Sequence, residues 1–284
     1  MLLKALKEAA RSLTARKDDV GAERNGVGRE FPLEVEFKLG KLHSHAPVDR
    51  HLELLFHDTR IGGESFVALH RRCLEQTGTG LTAASMFQRF QTRLALVNYF
   101  LATLPVPGAR AECGAYRGAT ALLLCHAWRS RQPGYRGEDF FLIDSFSGTS
   151  ASVAHDFIPV RGADGSTRME AFFPAGKTDT SAELVRSHFT EFPEATICAG
   201  WIPQVFATLP ERNWGFVRID LTLYEPTLAA LEYFYPRLNP GGVIACDGSI
   251  FCPGAEKAWE EFCARNNIRY VMLGHRQHIL IKQE

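Results

Sequence analysis

Arg110-Ala111-Glu112-Cys113-Gly114-Ala115-Tyr116-Arg117-Gly118-Ala119-Thr120 is the stretch that decides the fold. Pro105-Val106-Pro107-Gly108 turns the chain just before it, and the apolar run Ala121 to Trp128 follows. The order reads as a short strand, a glycine turn and a helix. Glycines at such a turn let backbone approach a ligand, and the helix start offers free N–H groups. The spacing is E-x-G-x-x-x-G. It is neither the dinucleotide G-x-G-x-x-G nor a phosphate loop ending in Gly-Lys-Ser/Thr. An acid closing the strand suits a cationic or hydroxyl-bearing cofactor better than a pyrophosphate. By itself the motif is also the ordinary turn of any α/β protein.

Working outward, three further stretches repeat the theme. Phe140-Phe141-Leu142-Ile143 is an apolar run closed by Asp144, followed by Ser145. Trp214 to Ile219 is closed by Asp220, and Val243 to Cys246 by Asp247. Unbroken apolar runs are the mark of parallel strands buried on both faces. Between them the sequence predicts a helix from Asp179 to Phe189, a short strand from Ala195 to Ala199 and a helix through about Leu238. Asn239-Pro240-Gly241-Gly242 reads as a turn, and residues 254–266 as a helix. Ile268 to Leu273 and His278 to Lys282 read as two closing strands. The pattern predicts an α/β, Rossmann-like doubly wound sheet of seven strands, mostly parallel with one antiparallel strand. It carries acids at the strand ends, the edge where open α/β sheets bind ligands.

Upstream, residues 63–76 and 82–104 read as helices. Met86, Phe87, Phe90, Leu94, Val97 and Leu101 recur at core-facing spacing in the second. Residues 1–13 read as an amphipathic helix and 14–30 as a charged, glycine-containing linker. The domain reading is an N-terminal helical and linker region over 1–80, an acceptor lid or an oligomer contact, before a second domain over 81–284. Residues 149–178 show no periodicity and read as a long binding loop or lid. His43, His45, His51 and His57 cluster without matching a zinc spacing.

Composition narrows the classes. The chain has 284 residues, 45% of them hydrophobic, and a formal net charge of zero. That provides a sizeable core and no long-range pull on nucleic acid. No apolar run is long enough to span a bilayer, and the start lacks the form of a secretory signal. Seven cysteines without a C-x-x-C pair suit reduced, buried thiols in a cytoplasmic protein.

Taken together, Glu112-x-Gly114-x-x-x-Gly118, Asp144-Ser145-Phe146-x-Gly148, Gly200-Trp201, Asp220-x-x-x-Tyr224-Glu225-x-Thr227, Tyr235-Pro236-Arg237-Leu238-x-Pro240-Gly241-Gly242 and Asp247 occur in the order of a known family. From about residue 82 to 262 the chain resembles the macrocin O-methyltransferases, S-adenosylmethionine-dependent enzymes of sugar hydroxyls on antibiotics and related glycosides. The resemblance implies that Glu112 and the turn Gly114, Tyr116, Arg117, Gly118 hold the methionine part of S-adenosylmethionine. Asp144, with Ser145, would take the ribose, and Gly200 with Trp201 would flank the adenine. Ser85 and Met86 stand near the family's Thr-Met pair. The family also binds magnesium, through acids at the positions of Asp220 and Asp247, and uses the first as general base. This sequence departs there: Thr222 and Gly248 stand where the family has further acids. Two carboxylates with waters can still hold magnesium, and Ser249 could assist.

The reading favours methyl transfer to a hydroxyl of a sugar or other small natural product. Asp220 is the candidate base or metal ligand, Asp247 the candidate ligand or orienter. His155 and His275 are alternative bases. The competing reading is a degenerate cofactor-binding protein acting as a partner or regulatory subunit. A nicotinamide oxidoreductase is disfavoured by the missing G-x-G-x-x-G. The acceptor is not legible, although Tyr116, Phe172 and Phe173 could line an apolar pocket. The N-terminal helix could pack against a second subunit.

Overall fold

The computed structural model describes residues 33–37, 40–44, 59–79, 83–247, 252–273 and 277–284, with side chains from residue 59 onward except over 83–89. The expected helix over 1–13, the linker over 14–30, and His45, His51, His57 and His275 lie outside the described residues. The chain divides into two compact units, the larger being Phe56–Gly80 with Gln88–Glu284. The smaller contains an antiparallel hairpin of β1 (Leu33–Phe37) and β2 (Gly40–Ser44), with His43 in β2.

In the larger unit a two-residue-strand hairpin, β3 (Arg60–Ile61) and β4 (Glu64–Ser65), leads into α1 (Phe66–Gln76). Then come α2 (Ala83–Ala102), which belongs to this unit from Gln88 onward, β5 (Ala109–Cys113), α3 (Ala119–Arg131) and β6 (Phe140–Asp144). A hairpin of β7 (Phe157–Arg161) and β8 (Thr167–Ala171) precedes α4 (Ala182–His188) and β9 (Thr196–Ala199). The last elements are β10 (Trp214–Ile219), α5 (Tyr224–Arg237), β11 (Leu238–Cys246), α6 (Pro253–Arg265), β12 (Val271–Met272) and β13 (His278–Ile281).

Seven strands form one sheet in the order β12-β13-β11-β10-β5-β6-β9. Strands β9, β6, β5, β10 and β11 pair in parallel, and β13 runs antiparallel to both its neighbours. The doubly wound reading with one antiparallel strand is what the chain forms. Every residue of β5 and β10 is buried, the charged Arg110, Glu112 and Arg218 included.

Side chains alternate between the two sheet faces. Ala111, Cys113, Phe141, Ile143, Val217 and Ile219 join Phe234 of α5 and Trp259 of α6 in one core. Phe216 and Phe140 face the other way, where Phe100 of α2 meets them at ring distances of 5.1 and 6.2 Å. Helix α3 joins that layer, with Trp128 at 5.8 Å from Phe100. Its residues Thr120 to Ala127 are all buried, and Arg129 and Arg131 in its last turn complement the helix dipole.

Three local readings differ. Residues 239–242, expected as a turn, lie within β11, where Gly241 takes φ +78° and the register with β10 shifts. Of Ile268 to Leu273 only Val271–Met272 pairs as strand. The segment 149–178, expected as loop, contains the β7–β8 hairpin turning through Gly162 to Ser166. All ten of its strand residues are exposed or half-buried, so no buried face left an alternating apolar pattern to find.

Candidate active site

Strand order reverses beside β5: β6 and β9 lie to one side, β10 and β11 to the other. The crevice outside the carboxyl ends at such a reversal is the binding edge of this architecture. Here the ladder runs one residue past the strands. The N–H groups of Gly114, Gly200, Asp220 and Asp247 donate to the carbonyls of Ile143, Asp144, Cys113 and Ile219. Those four bonds align the glycine turn, Gly200 and two acids along one edge.

On the β6 side, Asp144 is held by backbone. Its Oδ2 accepts from the Tyr116 N–H and its Oδ1 from the Phe146 N–H, both at 2.8 Å. Burial pushes this carboxyl up, against the pull of the two N–H groups. Each oxygen keeps a second lone-pair direction for a hydroxyl. Tyr116 carries this bond at φ +48°, in the left-handed region. Ser145 shapes the following turn by donating to the Gly148 carbonyl at 2.7 Å.

The glycines serve the fold more directly than a ligand. Gly114 has φ +84°, and a Cβ there would collide with the Asp220 carbonyl. Gly118, also at φ +84°, caps α3, and a Cβ would lie 2.7 Å from the Phe189 ring. Arg117 turns to the segment after α1, donating to the Gly78 carbonyl at 2.8 Å. Gly200 and Trp201 line a depression of about 340 Å³ with Ala199, Gln204, Val205 and Thr208, and Trp201 is 42% exposed. Ser85 and Met86 lie in the first turn of α2, and their side chains are outside the described residues.

On the β10 side the acids are held by arginine. Arg218 stands opposite Glu112 on β5 and Ala245 on β11, so Glu112, Arg218, Asp220 and Asp247 share one sheet face. The Arg218 guanidinium bridges three carboxylates. Its Nη1 donates to Glu112 Oε1 and its Nη2 to Asp220 Oδ2. Its Nε reaches Asp247 Oδ2 at 2.9 Å, with Nη2 at 2.8 Å from the same oxygen. Arg93, from α2, donates to Asp247 Oδ2 as well, and Gln277 Nε2 donates to Asp247 Oδ1 at 2.5 Å.

Exposure separates the three acids. The Asp220 side chain is 32% exposed, against 4% for Asp247 and 1% for Glu112. Burial raises the Glu112 carboxyl to about 7 despite Arg218. Burial acts on Asp247 in the same sense, but Arg93 and Arg218 outweigh it and hold that acid below its usual range. Glu112 Oε2 is buried with no hydrogen-bond partner among the described residues. A buried carboxylate oxygen left unpaired is costly unless a donor or cation arrives.

Two consequences follow for the expected ligands. Glu112 and Asp144 fit S-adenosylmethionine: one offers a buried oxygen to an ammonium, the other two fixed oxygens to a ribose. The magnesium site expected at Asp220 and Asp247 does not fit. Both oxygens of Asp247 and one of Asp220 accept from N–H donors, and two guanidinia already supply the positive charge. Among the described residues no group of three or more His, Cys, Asp or Glu could hold a metal ion. Gly248 and Ser249 lie outside the described residues.

Arg218, Arg93 and Gln277 escaped the sequence reading. Arg218 did leave a signal, as the one charge inside the apolar run Trp214 to Ile219. A cation there demands carboxylate partners. The His155 ring lies 4.4 Å from that of Tyr224, tilted by 45°, and Tyr224 donates to Glu261 at 2.6 Å. Buried Asp156 ties this segment to α5 by accepting from the Tyr224 N–H at 2.8 Å. Phe172 and Phe173 lie 5.8 Å apart, with Lys177 over the latter.

The sheet order, the glycine turn and the acid after the adjacent strand define the class: this is a class I methyltransferase fold. The model of the macrocin-O-methyltransferase family, TylF, matches residues 76–274, and the chain belongs to that family. It is 28% identical over 167 residues to demethyldecarbamoylnovobiocin O-methyltransferase of Streptomyces niveus, covering 57% of this chain and 61% of that protein. Over 149 residues it is 28% identical to 8-demethyl-8-(2,3-dimethoxy-alpha-L-rhamnosyl)-tetracenomycin-C 4'-O-methyltransferase of Streptomyces olivaceus, covering 50% and 53%. The matches thus span between half and two thirds of those relatives' lengths. The O-methyltransferase NovP superposes with a TM-score of 0.58 at 20% identity, over 84% of this chain and 100% of that one. CalS11, a calicheamicin methyltransferase, gives 0.55 at 18% identity, over 77% and 93%. These two show the shared fold. No helix among the described residues is long and apolar enough to cross a membrane.

Proposed function

We propose that this chain is an S-adenosylmethionine-dependent O-methyltransferase acting on a hydroxyl of a sugar or sugar-bearing small natural product. The observation that carries the reading is Asp144, fixed by two backbone N–H groups beside the glycine turn, with Glu112 Oε2, which has no partner among the described residues, on the adjacent strand. The two relatives named above are O-methyltransferases by name, and the rhamnosyl group in the second name supports the acceptor class. They and the family model favour an enzyme over a degenerate subunit. The seven free thiols, six of them buried, fit a reducing cytoplasm.

The cofactor supplies an electrophilic methyl on a sulfonium. The chain's part is to bind, align and take a proton. Asp144 accepts the two ribose hydroxyls. Glu112 receives the ammonium at its buried Oε2. Trp201 and Gly200 take the adenine edge. Asp220, the open member of the acid cluster, accepts the proton of the attacking hydroxyl, while Asp247 fixes Arg218 and so the Asp220 carboxylate. Alignment supplies much of the acceleration and the base about 10²–10⁴-fold.

Calorimetry with S-adenosylhomocysteine and a methyl-transfer screen over rhamnosyl and other deoxysugar glycosides test the reading. Asp220→Asn should keep product affinity and lower kcat at least about 100-fold. Unchanged turnover in that variant would remove Asp220 as the base.

A further inference from the structure

We propose that Arg218, braced by Arg93, takes the place and the charge of the divalent cation, so that methyl transfer by this chain proceeds without a metal. The inference rests on the methyltransferase reading above and concerns the same acid cluster.

Three observations carry it. First, the guanidinium of Arg218 lies among all three acids and bonds to each, donating from Nη1 to Glu112, from Nη2 to Asp220 and from Nε to Asp247. A planar fork with five donors bridges several carboxylates where an ammonium would serve as a point charge. Second, three of the four oxygens of the expected pair, Asp220 and Asp247, are in use. Asp247 has both in use, Oδ2 by Arg93 and Arg218 and Oδ1 by Gln277, and Gln277 is itself tied to the Thr92 carbonyl at 3.2 Å. Third, the carboxylates that would restore a ligand set are missing, since Thr222 and Gly248 occupy those positions. Magnesium asks for near-octahedral oxygen ligands and gives up its waters reluctantly. Here it would have to displace two buried arginines from carboxylates they already bond.

The arrangement is built into the sheet register. Arg218 faces Glu112 on one side and the small Ala245 on the other, and Asp220 and Asp247 follow two residues on. Arg93 enters from α2, its Nη2 4.0 Å from Asp220. Arg218 is therefore a positioning residue. It holds Asp220 in one orientation, as a bound cation would hold a neighbouring acid.

The test is a titration of Mn²⁺ followed by electron paramagnetic resonance, on the full chain with and without S-adenosylhomocysteine. Calorimetry of the cofactor product is run on the same samples. Wild-type protein is expected to leave the free Mn²⁺ signal unchanged. Its methyl transfer should be equal in chelator and in added magnesium. Arg218→Met leaves three acids without their central cation, and its Mn²⁺ affinity should rise about tenfold or more. Arg93→Met is the second variant should Arg218→Met not fold, with a smaller rise expected. Arg218→Lys restores the charge without the fork, so it should stay free of Mn²⁺ yet turn over more slowly at unchanged KM. Stoichiometric Mn²⁺ binding by wild-type protein, or transfer lost in chelator and restored by magnesium, overturns the proposal. Failure to bind S-adenosylhomocysteine would bring down the methyltransferase reading instead, and the Mn²⁺ spectra would still decide the charge replacement.

Discussion

The two halves of the binding edge hold their acids by different means. Beside β6, Asp144 rests on the N–H groups of Tyr116 and Phe146. Beside β10, Asp220 and Asp247 rest on Arg218, with Arg93 added at Asp247. Backbone donors fix a carboxylate yet leave its charge largely unspent, which suits neutral hydroxyls. Guanidinia neutralise and saturate, so the second half keeps its shape at the cost of its capacity for a cation. Acids that look alike at three strand ends thus have separate chemical uses.

The sharpest way to break this contrast is to remove the guanidinium. Arg218→Met leaves Glu112 buried without the guanidinium that bonds it, and Asp247 with Arg93 as its remaining cation. Breaking such a pair from one side costs roughly 3–5 kcal/mol. Denaturant unfolding should show that loss, and a change under about 1 kcal/mol would mean that the cluster is wetter than its burial implies. The same operation on the other half should behave oppositely. Asp144→Ala should lower S-adenosylhomocysteine affinity about 100-fold or more, the worth of two hydrogen bonds to a charged group, with a much smaller change in stability. Calorimetry and thermal unfolding on one sample separate the two effects.

That contrast also marks the limit of what the sequence discloses. The strand ends at Asp144, Asp220 and Asp247 are legible because apolar runs precede them, interrupted by a charge only at Arg218. So is the doubly wound order, because helices separate the runs. What holds each acid is a tertiary matter. Arg93 lies on a helix 154 residues before its partner Asp247, and Gln277 lies 30 residues after it. No local pattern joins them. Arg218 is the exception that could have been caught, since register with Glu112 follows once β5 and β10 are placed side by side. The β7–β8 hairpin escaped for the opposite reason, having no fully buried residue to impose an alternation.

A third test uses pH, and it ties the halves together through Glu112. Burial holds this carboxyl at about 7 in the folded chain, against an ordinary 4.5. The folded state then binds more protons than the unfolded one between those values. Its contribution to stability falls as pH rises from about 4.5 to about 7. An ammonium placed on Glu112 reverses the preference, drawing the carboxyl down and releasing a proton. Affinity for S-adenosylhomocysteine should therefore rise about tenfold from pH 6 to pH 8, with proton release visible in buffers of different ionisation heat. A flat profile would mean that Glu112 is already ionised by Arg218 or that the ammonium sits elsewhere.

The smallest effect belongs to Trp201, and it probes the half that backbone holds. Its indole is 42% exposed at the rim of the depression beside Gly200. An exposed aromatic contributes little to folding, so Trp201→Ala should change stability by no more than about 0.5 kcal/mol. If the ring covers an adenine face, the lost stacking is worth about 1 kcal/mol, or roughly fivefold in affinity. Trp201→Phe keeps a smaller face and should recover part of that factor. Quenching of the Trp201 emission by S-adenosylhomocysteine, read as the difference between wild type and Trp201→Phe, reports the contact directly. Equal quenching in the two would place the adenine away from this rim. Asp144 would then carry nucleoside recognition on the β6 side, by hydrogen bonding alone.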